Sequence, residues 1–244
     1  LYRCPYAAIQ YDTSHQNCQI NYDSIHSRSS TKDEQESSIH ILSQLPRKIL
    51  FNNLTKEFSH YYLGAIKKHS LKIPDISEII VRNTLLNFGN ICNTNAPGNN
   101  HIRIEFFAES GDKIIIGESG ITNTDTLEIS RRILDDLAVL INRYGFNKDT
   151  ILPLSVVNGL PNKRTDYYEV IEDIQNVLNI QIRTITYHIL YLLNLFNLKI
   201  TANELSNFII NRTNNDLLPY VEALIPDIKE IDENTGGNNF TPTK

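Results

Sequence analysis

Apolar residues recur at helical spacing along most of this chain, and this feature limits the fold more than any other. The longest such run covers residues 165–198, where apolar side chains recur every three or four positions. Such a stripe is typical of one face of an amphipathic helix. The run therefore predicts one long helix, with Ile185 and Ile189 in the middle of its buried face.

The apolar period changes to two at one place in the chain. Ile102, Ile104 and Phe106 alternate with more polar residues, and a second apolar run follows at 114–116, after the turn-forming residues Gly111-Asp112. Two such runs joined by a short turn are typical of a β-hairpin. The sequence thus predicts a mainly α (α+β) fold, a helical body with one central β-hairpin near 101–117.

Composition divides the chain into three parts. Residues 1–38 are rich in Tyr, Ser and His without an apolar period, which predicts a polar, partly flexible N-terminal segment. Residues 39–231 carry the helical patterns and are predicted to form the folded domain. Residues 232–244 consist mainly of Asn, Gly, Thr and Pro, and are predicted to be a flexible tail.

Charge, cysteine count and hydropathy narrow the classes of function. The net charge is -5 and the isoelectric point about 5.8, which disfavours nucleic acid as a partner. Three cysteines are too few for a disulfide framework, so a reducing compartment is predicted. No apolar run reaches the roughly 20 residues of a membrane span. The predicted location is the cytoplasm, or a host cell's cytosol after delivery. The chain has 28 Asn and 34 Ile, and because both residues have AT-rich codons, these counts indicate an AT-rich genome.

One short motif suggests catalysis. Arg183 and His188 lie five positions apart, a spacing that resembles the Arg–His motif of HEPN-type ribonucleases. The resemblance implies phosphate stabilisation by Arg183 and general acid–base chemistry by His188, without a metal. On one continuous helix the two side chains would point about 140° apart. A site that uses both side chains would therefore need a helix break between them or a second copy of the chain.

Cysteine and histidine residues suggest two further sites. Cys4, His15, Cys18 and His26 are residue types that bind zinc, although only His15 and Cys18 have a tight, ligand-like spacing. The second hypothesis is a catalytic pair in which His101 activates Cys92 as a nucleophile. These two residues flank an Asn-rich loop. Neither pattern is strong, and the sequence predicts neither a metal nor a cofactor.

A Gly- and Ser-rich segment follows the second apolar run of the hairpin. Gly117, Ser119, Gly120 and Thr122 lie between this predicted strand and the next predicted helix. Loops of this kind bind anions through backbone N–H groups at the start of a helix. These four residues are the candidate ligand-binding site, although no lysine follows as in a phosphate-binding P-loop.

Because no catalytic motif stands out, the leading hypothesis is a non-enzymatic module that binds another protein. This hypothesis includes two kinds of protein. One is a component of a bacterial assembly, and the other is a secreted effector with a role in virulence. The alternative is the metal-independent ribonuclease that uses Arg183 and His188.

Overall fold

The computed structural model describes residues 9–12, 17–20, 51–71, 73, 75–94 and 104–226. The helices are α1 (Phe51–Ser70), α2 (Ile76–Asn87), α3 (Asn123–Tyr144), α4 (Tyr167–Leu178), α5 (Tyr187–Leu195), α6 (Ala202–Leu205) and α7 (Leu218–Leu224). The strands are β1 (Ile9–Asp12), β2 (Asn17–Ile20), β3 (Ile91–Thr94), β4 (Phe106–Ser110), β5 (Lys113–Gly120), β6 (Ile151–Val157) and β7 (Arg183–Thr186). The predicted tail and most of the predicted N-terminal segment lie outside these ranges.

Strands β3 to β7 form one five-stranded mixed sheet in chain order, so the predicted helical body with one hairpin is wrong. Strands β3, β4 and β5 are antiparallel neighbours, whereas β5, β6 and β7 are parallel. Strands β1 and β2 pair with each other in a separate antiparallel sheet. The fold is α+β, built around a central sheet.

The predicted long helix at 165–198 is also wrong, because this run contains α4, β7 and α5 in succession. Helix α4 ends at Asn179, which adopts a left-handed conformation (φ 52°). The next apolar residues are mostly β-branched, and Thr184-Ile185-Thr186 favours a strand. Ile185 and Ile189 are nevertheless buried as predicted, with 0% and 3% exposure.

The predicted hairpin is confirmed as the pair β4 and β5, which turns at Gly111 (φ 67°). However, β5 continues to Gly120, so the predicted Gly- and Ser-rich loop is mostly strand. A Cβ atom on Gly117 would lie 2.1 Å from the Phe106 ring and 2.4 Å from the Leu154 carbonyl oxygen. Gly117 therefore lets the Phe106 ring lie across β5.

The sheet lies between two layers of helices. Helices α3 and α4 form the two crossovers between the parallel strands, and both crossovers advance in the same direction along the sheet. Right-handed crossovers place such helices on one face. Residues 115–120 of β5 and all of β6 are buried. Helices α1, α2 and α5, which contact one another, therefore cover the opposite face. Within the described ranges, no helix is long and apolar enough to cross a membrane.

Truncation of Ile185 to alanine is expected to destabilise the protein by roughly 2–5 kcal/mol, because this fully buried side chain of β7 would leave a cavity. Val177→Ala on the outer face of α4 is the matched control, since Val177 is 79% exposed and its truncation should change stability by less than about 0.5 kcal/mol. Urea unfolding of both variants measures the difference. Equal stabilities would show that β7 does not lie in the core.

Candidate active site

A cluster of ionisable side chains lies where β5 ends. Glu118 is on β5. Phe106 of β4 pairs with Gly117 of β5, so one residue further from the turn Glu105 lies opposite Glu118. Asp136 reaches the same place from α3, and its side chain interacts with that of Glu118. We call Glu105, Glu118, Asp136, Arg132 and Ser119 the carboxylate cluster.

Arg132 joins the members of the carboxylate cluster. Its Nε lies 3.1 Å from Glu118 Oε2, and its Nη1 lies 3.5 Å from Glu105 Oε1. Both the backbone N–H and the hydroxyl of Ser119 donate to Glu105 Oε2 at 2.6 Å. The Arg132 and Glu105 side chains are 40% and 17% exposed, whereas that of Glu118 is 2% exposed. The cluster therefore reaches solvent through Arg132 and Glu105.

The start of α3 explains how one helix supplies two members of the cluster. Thr122 and Asp125 form a capping box that begins the helix two residues after β5 ends. Arg132 and Asp136 are four positions apart, so they lie on one face of α3. That face meets the end of β5, where Glu118 is buried.

Burial sets the protonation of the cluster. Loss of hydration, together with the negative charges of Glu105 and Asp136, raises the pKa of Glu118 to about 10. Loss of hydration likewise raises the pKa of Asp136 to about 7. At neutral pH, Glu118 therefore holds a proton that an ordinary glutamate would have lost.

A buried hydroxyl group lies beside the cluster. Tyr187 is the first residue of α5, is 2% exposed, and stacks on Tyr62 with 4.5 Å between ring centroids. Its hydroxyl makes no hydrogen bond of standard geometry to a described residue, although the Ser119 hydroxyl lies close enough to influence its pKa. Burial raises the pKa of Tyr187, and the charge of Glu105 raises it further. Tyr187 is thus a neutral donor next to Glu105 and Ser119.

No protein-family model matches this chain, and no curated protein matches it closely enough to count as a relative. The function is therefore inferred from the residues themselves.

The two residues of the predicted ribonuclease motif lie at opposite ends of β7. Arg183 begins the strand, and its guanidinium donates to the backbone carbonyls of Ser206 and Gln181. His188 lies in the first turn of α5, 2% exposed and stacked on Phe58 at 4.6 Å. Burial lowers the pKa of His188 to about 4, so its ring is neutral at neutral pH. The structure does not bring the two side chains together within one chain.

Among the predicted ligand-binding residues, Gly117, Ser119 and Gly120 are strand residues with buried positions. A Cβ on Gly120 would lie 2.7 Å from Ile129, so this glycine allows α3 to pack against β5. Thr122 caps α3 and its hydroxyl is bonded to Asp125. Ser119 is the one member of this group that belongs to the carboxylate cluster.

The predicted cysteine and histidine sites fall mostly outside the described residues. Cys4, His15, His26 and His101 lie outside them, and Cys18 is a residue of β2. Cys92 lies in β3 opposite Ala108 and is 6% exposed, so its thiol is part of the core. In the part of the chain that the structure describes, no group of three or more His, Cys, Asp or Glu is arranged to hold a metal by itself.

Sequence reasoning missed Glu105, Glu118, Asp136 and Arg132 as site residues. The hairpin held a usable signal, since a turn at Gly111-Asp112 sets a register that places Glu105 opposite Glu118. Two glutamates opposite each other on paired strands repel unless a cation or a proton lies between them. The face of α3 that meets them could not be read from its sequence alone.

Proposed function

We propose that this protein is a hydrolase of phosphate esters that binds a divalent cation at Glu105 and Glu118. The observation that carries the proposal is the imbalance of charge in the carboxylate cluster. Three carboxyl groups converge there on one guanidinium, that of Arg132. The proposal thus adds a cation that the sequence did not predict.

Burying uncompensated charge is costly, so the imbalance needs a partner. With all groups ionised, three carboxylates and one guanidinium would leave two negative charges in the cluster. Without a ligand, burial and neighbouring carboxylates raise the pKa values of Glu118 and Asp136, so protons on these groups supply the compensation. A divalent cation at Glu105 and Glu118 carries the two positive charges that would let Glu118 ionise as a ligand.

The geometry favours Mg²⁺ or Mn²⁺ over zinc. Magnesium usually keeps several waters and binds one or two carboxylates together with phosphate oxygens of its substrate. Glu105 and Glu118 provide two carboxylates at the end of the β4–β5 hairpin away from its turn, and the cluster reaches solvent there through Glu105 and Arg132.

The neighbouring residues fit the hydrolysis of phosphate esters. A bound cation would lower the pKa of a water molecule and polarise a phosphate oxygen. Arg132 is partly exposed and carries the charge that stabilises developing negative charge on phosphate. The Tyr187 hydroxyl lies beside Glu105 and Ser119 as a further donor. Asp136, whose pKa is near neutrality, is suited to accept or donate a proton.

The net charge of -5 favours small phosphate esters over polynucleotides as substrates. The interaction module and the metal-independent ribonuclease remain the alternative hypotheses from the sequence. An activity that is independent of the cluster and of any cation would favour one of them.

Binding of Mn²⁺ tests the proposal without a substrate. We expect calorimetric titration to show one site per chain whose affinity rises with pH, because the cation displaces protons from the cluster. Glu118→Gln should weaken binding at least about tenfold, since it removes one of the two carboxylate ligands. Glu109→Gln is the matched control on β4, because Glu109 lies beyond the cluster and pairs with Ile114. Equal affinities for the parent and Glu118→Gln would contradict the proposed site.

A further inference from the structure

A second cleft lies at the other end of the parallel strands, away from the carboxylate cluster. Its volume is about 350 Å³, and it is lined by the first residues of β5, β6 and β7, which are Lys113, Ile151 and Arg183. The end of α4 and the short 3-10 turn Lys148–Thr150 complete its walls. None of the five cluster residues lines this cleft.

The charges that line the cleft are mostly positive. Lys113, Lys148 and Arg183 contribute three cations, and Asp149 contributes one carboxylate. Amide and hydroxyl groups, including those of Gln181 and Ser206, make up much of the remaining wall. The cleft therefore suits a polar, negatively charged ligand of small size.

Arg183 is held in place for such a ligand. Its Nε donates to the Ser206 carbonyl oxygen at 2.6 Å, and its Nη1 donates to the Gln181 carbonyl oxygen. These bonds fix the guanidinium but bring no negative charge. None of the ion pairs between described side chains includes Arg183. Burial also lowers the pKa of Arg183, as expected for a cation whose charge has no compensating anion nearby.

We propose that this cleft binds the phosphate group of a small molecule, with Arg183 as its principal contact and Lys113 and Lys148 as supporting cations. An arginine has five N–H donors, and the two backbone carbonyls use two of them. The remaining donors form the planar fork that recognises phosphate oxygens in pairs. The Lys148 ammonium group is already placed by the Leu178 carbonyl oxygen at 3.3 Å.

The test is calorimetric titration of inorganic phosphate and of adenosine monophosphate into the full chain, in metal-free buffer so that the carboxylate cluster does not contribute. We expect both to bind, and Arg183→Gln to weaken both at least about tenfold. Tighter binding of the nucleotide would identify a phosphorylated metabolite as the ligand, and equal binding would identify the free anion. Lys163→Gln is the control, because Lys163 is exposed and does not line the cleft.

Lys113→Gln keeps the test decisive if Arg183→Gln fails to fold, since Lys113 lies at the start of β5 and makes none of the ion pairs between described residues. It should weaken phosphate binding several-fold with no change in thermal stability. The proposal is overturned if neither anion binds the parent at millimolar concentration, or if Lys113→Gln and Arg183→Gln bind as the parent does. Loss of cation binding at the carboxylate cluster would leave this result unaffected, so the two proposals fail separately.

Discussion

Replacement of Glu118 by glutamine is expected to stabilise the metal-free protein, by an amount that grows as the pH rises. The ordinary pKa of a glutamate is about 4.5, and burial raises that of Glu118 to about 10. Between these values the folded state binds a proton that the unfolded state has released. The parent's stability is therefore highest below the unfolded pKa and falls as the pH rises towards 10. Glutamine has no such proton, so the variant should lose this dependence.

Urea unfolding at pH 7, 8 and 9 in metal-free buffer measures the effect. The interval from pH 8 to 9 lies above the pKa of Asp136, which is about 7, so Glu118 dominates the slope there. A single proton changes the free energy of unfolding by up to about 1.4 kcal/mol per pH unit. Glu109→Gln should retain the parent's slope. A Glu118→Gln slope equal to the parent's would show that Glu118 is already ionised in the folded protein.

The hairpin shows how far the sequence could lead. Its alternation of apolar residues and its Gly111-Asp112 turn are local signals, and the hairpin turns where predicted, although β4 begins only at Phe106. The same register places Glu105 opposite Glu118, so two of the five cluster residues were implied by the turn. Treating the segment after the hairpin as a loop concealed this, because β5 continues through Gly117 to Gly120.

There is a physical reason why the other strands of the sheet could not be predicted from the sequence. Strand β6 is buried on both faces, so its sequence is apolar except for Ser155 and has no alternation to detect. Strand β7 has four residues inside a longer run of apolar positions, and its Ile185 fits a helical stripe as well as a strand. Short apolar segments of this kind take their structure from their neighbours in the sheet rather than from local preference.

Asp136 and Arg132 were hidden for a different reason. Residues 131–136 of α3 contain two arginines and two aspartates, and the sequence suggests a solvated pattern of opposite charges. Arg131 fits this interpretation, since its ion pair with Glu128 is exposed. Only the packing of α3 against β5 determines that Arg132 and Asp136 face the sheet.

Loss of hydrolysis in Asp136→Asn and Glu118→Gln is expected to be the largest effect of any substitution in this protein. Glu118→Gln removes a ligand of the proposed cation, and Asp136→Asn removes the group whose pKa of about 7 suits proton transfer. Removal of a metal ligand or of a general base commonly lowers rates by about 100-fold or more. Asp135→Asn is the matched control for α3, because Asp135 is exposed next to Asp136.

The most direct test of the account is the rate at which the purified chain hydrolyses phosphate esters with and without Mn²⁺ or Mg²⁺. Bis(p-nitrophenyl) phosphate, p-nitrophenyl phosphate, single-stranded RNA and single-stranded DNA serve as substrates. We predict cation-dependent hydrolysis of at least one ester, lost about 100-fold or more in Glu118→Gln and Asp136→Asn but retained in Glu109→Gln and Asp135→Asn. Absence of hydrolysis with either cation, or hydrolysis that persists in Glu118→Gln, would contradict the assignment of the carboxylate cluster as an active site.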